Sequence, residues 1–155
     1  MKIVFIVLFI LIAAFIALLF NYQKISNAFE TPNLVNGKLS KCPDKPNCVC
    51  SEYKDDSSHY IDPIIIPENS TIDYSTALKE IIREMGGEIQ TEQSNYITAT
   101  FTSSLFKFVD DLEIKIDSNK NEIHIRSASR VGHSDMSVNK KRSESIKELL
   151  KLKVN

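Results

Sequence analysis

The stretch Leu112-Glu113-Ile114-Lys115-Ile116-Asp117-Ser118-Asn119-Lys120-Asn121-Glu122-Ile123-His124-Ile125-Arg126 decides the fold. Leu112, Ile114 and Ile116 alternate with Glu113 and Lys115, and Ile123 and Ile125 alternate with His124 and Arg126. A period of two is that of a strand with one buried face. The polar run Asp117 to Asn121 reads as a turn. Two alternating runs joined by so short a turn predict an antiparallel hairpin.

Working outward, Tyr96 to Thr102 alternates in the same way, with Ile97, Ala99 and Phe101 against Thr98, Thr100 and Thr102, and Glu88 to Glu92 is a short strand before it. Further back, Tyr74, Ala77, Leu78, Ile81, Ile82 and Met85 recur at helical spacing, with Asp73 as N-cap and Gly86-Gly87 as terminator. His59 to Ile66 is β-branched and predicts a first strand, which Pro63 places at an edge. After the hairpin, Val138, Ile146, Leu149 and Leu150 mark a closing helix over about Val138 to Lys151. The order is β-α-β-β-β-β-α. Short turns make the sheet mostly antiparallel, and two amphipathic helices cover one face of it, which defines an α+β fold. The same order occurs in curved-sheet folds whose sheet wraps a long C-terminal helix, a likeness that carries no function.

Ahead of this domain, Ile3 to Phe20 is an unbroken apolar run, IVFIVLFILIAAFIALLF. As a helix it reaches roughly 27 Å, close to the hydrocarbon thickness of a bilayer. A cleaved signal has a shorter apolar region, although Ser26 to Ala28 offers a small-x-small site. We read the run as one retained transmembrane helix. The expected division is an anchor over 1–22, a tether over 23–41 and a single domain over 42–155. Flanking charge barely sets orientation: Lys2 stands before the run, and Lys24, Lys38 and Lys41 after it. Asn69-Ser70-Thr71 fits a glycosylation sequon, a match near chance.

The 19 basic and 20 acidic residues nearly balance, so no global charge points to nucleic acid. Acidic residues dominate from Glu52 to Glu113, and basic ones lead afterwards, with Lys140, Lys141, Arg142, Lys147, Lys151 and Lys153 on the last segment. Such halves face each other in a fold, form a solvated face, or offer a basic surface to anionic headgroups or an acidic partner.

Three segments carry chemistry-bearing residues. Cys42 and Cys48 flank the turn-rich Pro43-Asp44-Lys45-Pro46-Asn47, with Cys50 close behind. That spacing suits a local Cys42–Cys48 disulfide, which would place the domain outside the cytosol. Reduced thiols are a second reading. Metal or redox chemistry is the third, but only His59 lies near enough to complete a zinc site, and Cys48-x-Cys50 is too tight for the usual redox motif. The second segment runs from Ile125 to Arg142, from a strand into a helix N-terminus. Backbone amides there, with Arg126 and Arg130, could hold a phosphate or carboxylate, and Arg126, Ser127, Ser129, Arg130, Asp135, Asn139 and Arg142 are the candidate ligand- or partner-binding residues. Alternatively Asp135 or Ser137 caps the helix, and the arginines pair with Asp110, Asp111 or Glu113. Third, Asp110-Asp111 with Glu113 is a paired-carboxylate set of the kind used in acid–base work or cation binding. His124 and His133 come with no convincing serine or cysteine nucleophile.

These segments carry a resemblance. L-x-x-C-P-x-x-P-N-C-V at Leu39 to Val49, F-x-D-D-x-E at Phe108 to Glu113, R-S-A-S-R-V-G-x-S-D at Arg126 to Asp135 and N-x-x-R at Asn139 to Arg142 together resemble the family called domain of unknown function 1499. The likeness covers roughly Leu39 to Leu150. It implies a small domain, often carried by secreted, membrane-anchored or thylakoid-associated proteins, and no established activity. Cys50 departs from the pattern, which usually has serine there, so the resemblance leaves Cys42 and Cys48 as the shared cysteine feature.

The expectation is an extracytoplasmic, membrane-tethered and non-enzymatic domain without catalytic residues, cofactor or metal. It would bind an envelope protein partner or an anionic or lipid-like ligand through Arg126 to Asn139, and no nucleic acid. The alternative is an envelope enzyme using that loop with Asp110 and Asp111.

Overall fold

The computed structural model describes residues 2–154. Helix α1 (Lys2–Ala28) leads into a sheet of β1 (Cys48–Cys50), β2 (Ile64–Ile65), β3 (Glu88–Glu92), β4 (Tyr96–Thr102), β5 (Val109–Asp117) and β6 (Glu122–Ser129). Helix α2 (Tyr74–Glu84) lies between β2 and β3, and α3 (Val138–Val154) follows β6. The curved sheet is antiparallel in the order β1-β6-β5-β4-β3, with β2 also on β6. This is the α+β fold that the alternation and helical spacing predict. The deciding hairpin pairs Ile114 with Ile125 and Ile116 with Ile123, the register in which both apolar sets share one face.

That face packs under α2 and α3. Ile97, Ala99, Leu112, Ile114, Ile123 and Ile125 meet Leu78, Ile81, Ile82, Ile146 and Leu150 in one buried cluster. Asp73 caps α2 by accepting from the Thr76 amide at 3.1 Å. The two glycines at its end differ in purpose. Gly86 turns the chain at φ 83°, whereas a Cβ on Gly87 would stand 2.6 Å from the Phe101 ring.

Two elements differ from the sequence expectation. The strand expected over His59 to Ile66 shrinks to Ile64–Ile65. Pro63 and Pro67 have no amide to donate, and the amides of His59 and Tyr60 turn back to the Asp56 carbonyl. In its place Cys48–Cys50 forms a strand along β6, pairing Cys48 with Ala128 and Cys50 with Arg126. Three residues, two of them cysteine, carry no period for a sequence to reveal; pairing alone makes them a strand.

The segment read as a tether is packed against the domain. Helix α1 continues to Ala28, and Ser26 is buried, accepting from the Val109 amide at 2.9 Å. Leu39 is buried with Cys50 and Tyr96, beside Leu34, Cys42 and Tyr53. Leu34, Leu39, Cys42 and Tyr53, on either side of β1 in the chain, therefore roof part of the sheet face opposite the helices.

Candidate functional site

Alternation along β5 sends neighbouring residues to opposite faces, and this divides the expected site in two. Asp110 faces α3 with Ser127, Ser129, Asn139 and Arg142. Asp111 and Glu113 face the N-terminal cover with Arg126 and Arg130.

On the helix face Asn139 is the centre. Its Nδ2 faces the Asn47 carbonyl at 3.1 Å, Ser129 Oγ at 3.0 Å and Asp135 Oδ2 at 2.8 Å. Its Oδ1 accepts from Ser127 Oγ and from Arg142 Nη1, both at 2.6 Å. Arg142 also donates to Asp110 Oδ2 at 2.8 Å and lies over the Phe101 ring, 4.4 Å from its centroid. Asp135 caps α3, accepting from the Ser137 and Asn139 amides. That cap holds Met136 and Ser137 in the left-handed region, at φ 54° and 64°.

On the opposite face Glu113 is fully buried and accepts from Arg126 Nη1 at 2.7 Å and from the Tyr96 hydroxyl at 2.9 Å. Burial pushes the Glu113 carboxyl up against the pull of Arg126 and Tyr96, and burial beside Glu113 pushes the Tyr96 hydroxyl up as well. Arg130 grips Asp111 through Nε at 2.9 Å and Nη2 at 2.8 Å. Its Nη1 donates to the Ser26 carbonyl at 3.2 Å, in the last turn of α1, where the helix dipole favours a cation. Arg130 thus ties the apolar helix to the sheet. Lys115 pairs with Glu52, which also accepts from the Leu39 amide.

Every arginine in the motif region therefore has a carboxylate partner. Arg126, Ser127, Ser129, Arg130, Asp135, Asn139 and Arg142 do not form one contact surface; a strand's period of two separates Arg126 and Arg130 from the rest. Asp110 and Asp111 likewise point apart and serve different arginines, so they cannot act together on one substrate. His124 lies under the cover with Nδ1 3.3 Å from Ser51 Oγ, and His133 is exposed in the β6–α3 loop. Among the described residues no group of three or more His, Cys, Asp or Glu gathers as a metal site.

Cys42 and Cys48 form a disulfide, while Cys50 is a buried free thiol that desolvation pushes up to about 11. The bridge presents Asn47, a residue the sequence reading passed over. The Asn47 carbonyl accepts from the Ser129 amide at 3.0 Å, and its side chain donates to the Gly132 carbonyl at 3.2 Å. Its place directly before Cys48 in the first motif was the available signal. Ser51, Glu52 and Tyr96 were passed over too, and only their partners mark them.

Beside the Asn139 network is an open cleft of about 390 Å³. Leu18, Leu19 and Tyr22 of α1 form one wall, Phe106 and Phe108 another, and Val131 and Val138 a third. Asp110, Ser129, Ser134 and Asp135 supply polar groups. The lining is mostly apolar, with its polar atoms gathered on the motif strands and loop.

Fold and site define a small α+β domain joined through an arginine–carboxylate network to an apolar helix long enough to cross a membrane. The chain belongs to the family described as protein of unknown function DUF1499, whose model matches residues 38–150. No curated protein and no solved structure matches it.

Proposed function

We propose that this chain is a membrane-anchored, extracytoplasmic, non-catalytic module that receives a lipid-like ligand in the cleft between α1 and the β6–α3 loop. The observation that carries the reading is the cleft itself: apolar walls, a polar end, and one wall supplied by the last turns of the apolar helix. An acyl or similarly apolar chain would lie along Leu18, Leu19, Phe106 and Val131, with a hydroxyl or amine near Ser129 and Asp110. The lipid-like part of the expected ligand is the better supported part. Arg126, Arg130 and Arg142 each already face a carboxylate at 2.7–2.8 Å, which leaves no free guanidinium for an anion. The Cys42–Cys48 disulfide supports an oxidising compartment.

The test is photolabelling of the full chain in nanodiscs with a phospholipid carrying a diazirine in its acyl chain. Labels are expected on Phe108 and Val131 besides α1. A V131W variant, which fills the cleft, should lose the Phe108 label and keep those on α1. Labelling confined to α1 in the unmodified chain overturns the reading.

A further inference from the structure

We propose that the β4–β5 hairpin tip, residues 103–108, inserts beside α1 into the bilayer surface, so that the domain sits down on the membrane. The proposal rests on the anchor reading of α1 and adds a second point of membrane contact.

Depth is the first argument. Leu105 and Phe106 face Ile16, Leu19, Phe20 and Gln23 of α1 across a cleft of about 130 Å³. The apolar run ends at Phe20, and Ile16 lies one turn deeper, roughly 6 Å at the helical rise. Whatever stands level with Ile16 and Leu19 stands below the edge of that run. With α1 across a bilayer, the tip therefore has to lie in the headgroup and upper acyl region.

Composition is the second argument. Leu105 is 77% exposed and Phe106 42%, and the left-handed turn at Lys107 (φ 56°) closes the tip. A soluble domain gains nothing from large apolar side chains at a hairpin tip, whereas a bilayer surface accepts them. Lys107 follows at once, a cation whose stem can lie along lipid while its ammonium reaches the phosphates. In the β6–α3 loop Met136 is 88% exposed, its backbone held in the left-handed region by the cap at Asp135. On α1, Tyr22 and Lys24 mark the interfacial level, as aromatic and basic residues do at the ends of spans. The apolar residues of the tip thus lie against the emerging helix, at the depth that helix sets.

The chain has no tryptophan, so single-tryptophan variants report one site each. The L105W, N119W and F9W variants of the full chain would be reconstituted in vesicles of neutral and anionic phospholipid; Leu105, unlike Phe106, does not line the larger cleft. Asn119 lies in the β5–β6 turn, about 30 Å along β5 from the tip. The L105W signal should be blue-shifted, quenched at least twofold by lipids brominated high on the acyl chain, and shielded from iodide. N119W should be quenched by iodide and untouched by bromolipid. F9W should be quenched by lipids brominated deep in the chain. If F9W is quenched and L105W behaves like N119W, insertion is overturned while the anchor stands. A blue-shifted L105W without bromolipid quenching marks a protein contact and overturns it as well. If F9W escapes deep quenching, the anchor reading fails and insertion fails with it.

Discussion

Removing Arg126 or Glu113 should injure the fold in two different ways, and the difference tests whether the motif arginines are structural. At 2.7 Å the pair attracts with about 6 kcal/mol at an effective dielectric near 20. Glu113 is wholly buried, and its desolvation offsets much of that attraction. Arg126 Nε has no acceptor, so the pair is also incompletely satisfied. Breaking it from one side leaves an uncompensated charge, at about 3–5 kcal/mol. In R126M the orphan is a carboxylate, which can take up a proton. A folded-state carboxyl held above its unfolded value stabilises below the unfolded value and loses that contribution as pH rises through the folded value. The R126M cost should therefore be small near pH 5 and approach its full size by pH 8, with a slope of at most about 1.4 kcal/mol per unit. In E113Q the orphan is a guanidinium, which does not deprotonate, so its cost does not grow with pH as that of R126M does, and it shrinks as the parent's own raised Glu113 carboxyl gives up its proton. The E113L/R126M double variant should return to within about 2 kcal/mol of the parent. The assay is urea unfolding of the full chain in detergent micelles, followed by tyrosine fluorescence at pH 5 and pH 8. An R126M loss below about 1 kcal/mol, or one equal at both pH values, refutes the buried-pair account and returns Arg126 to the ligand candidates.

Four further outcomes follow from the same geometry. N139A should lower stability by about 3 kcal/mol, because the Asn47 carbonyl, Ser127 and Arg142 lose their shared partner; the same unfolding assay checks it. Burial lowers the His124 imidazole, which faces Glu122 at 3.3 Å outside hydrogen-bonding geometry, with Glu52, Lys115 and Ser51 around it. A depressed folded value stabilises above the unfolded 6.5 and is lost as pH falls through the folded value. Acid below about pH 6.5 should then destabilise the parent more than H124Q, in melts from pH 7 to pH 5. Opening the Cys42–Cys48 bridge, with its sequence separation of 6, should cost about 2 kcal/mol by loop entropy. In the folded chain at pH 8 Cys50 should resist maleimide until denaturant is added, as mass spectrometry can show.

The strands β4, β5 and β6, the helix α2 and the apolar run were legible because each carries a period or a length of its own. Tyr96 to Thr102 alternates, Tyr74 to Met85 repeats at helical spacing, and Ile3 to Phe20 is unbroken. The motif residues were legible as a group, but not as two groups. Arg126 and Ser127 are adjacent in sequence, yet one meets Glu113 and the other Asn139 on the far side of the sheet. β1 was invisible because three residues have no period. Asn47 was invisible because its partners, Ser129, Gly132 and Asn139, lie 82 or more positions away, and only chain closure brings them near.

By itself the sequence determined that β5 and β6 pair as a hairpin, which face of each long strand is apolar and where an apolar helix begins, since these follow from local periodicity and composition. Only the tertiary structure decided that Leu34, Leu39, Cys42 and Tyr53 roof the second face, and that Arg130 binds both Asp111 and the end of α1. It alone placed a mostly apolar cleft of about 390 Å³ beside that helix. Those features depend on where distant backbones come together, and burial and charge pairing set that over separations no local pattern records.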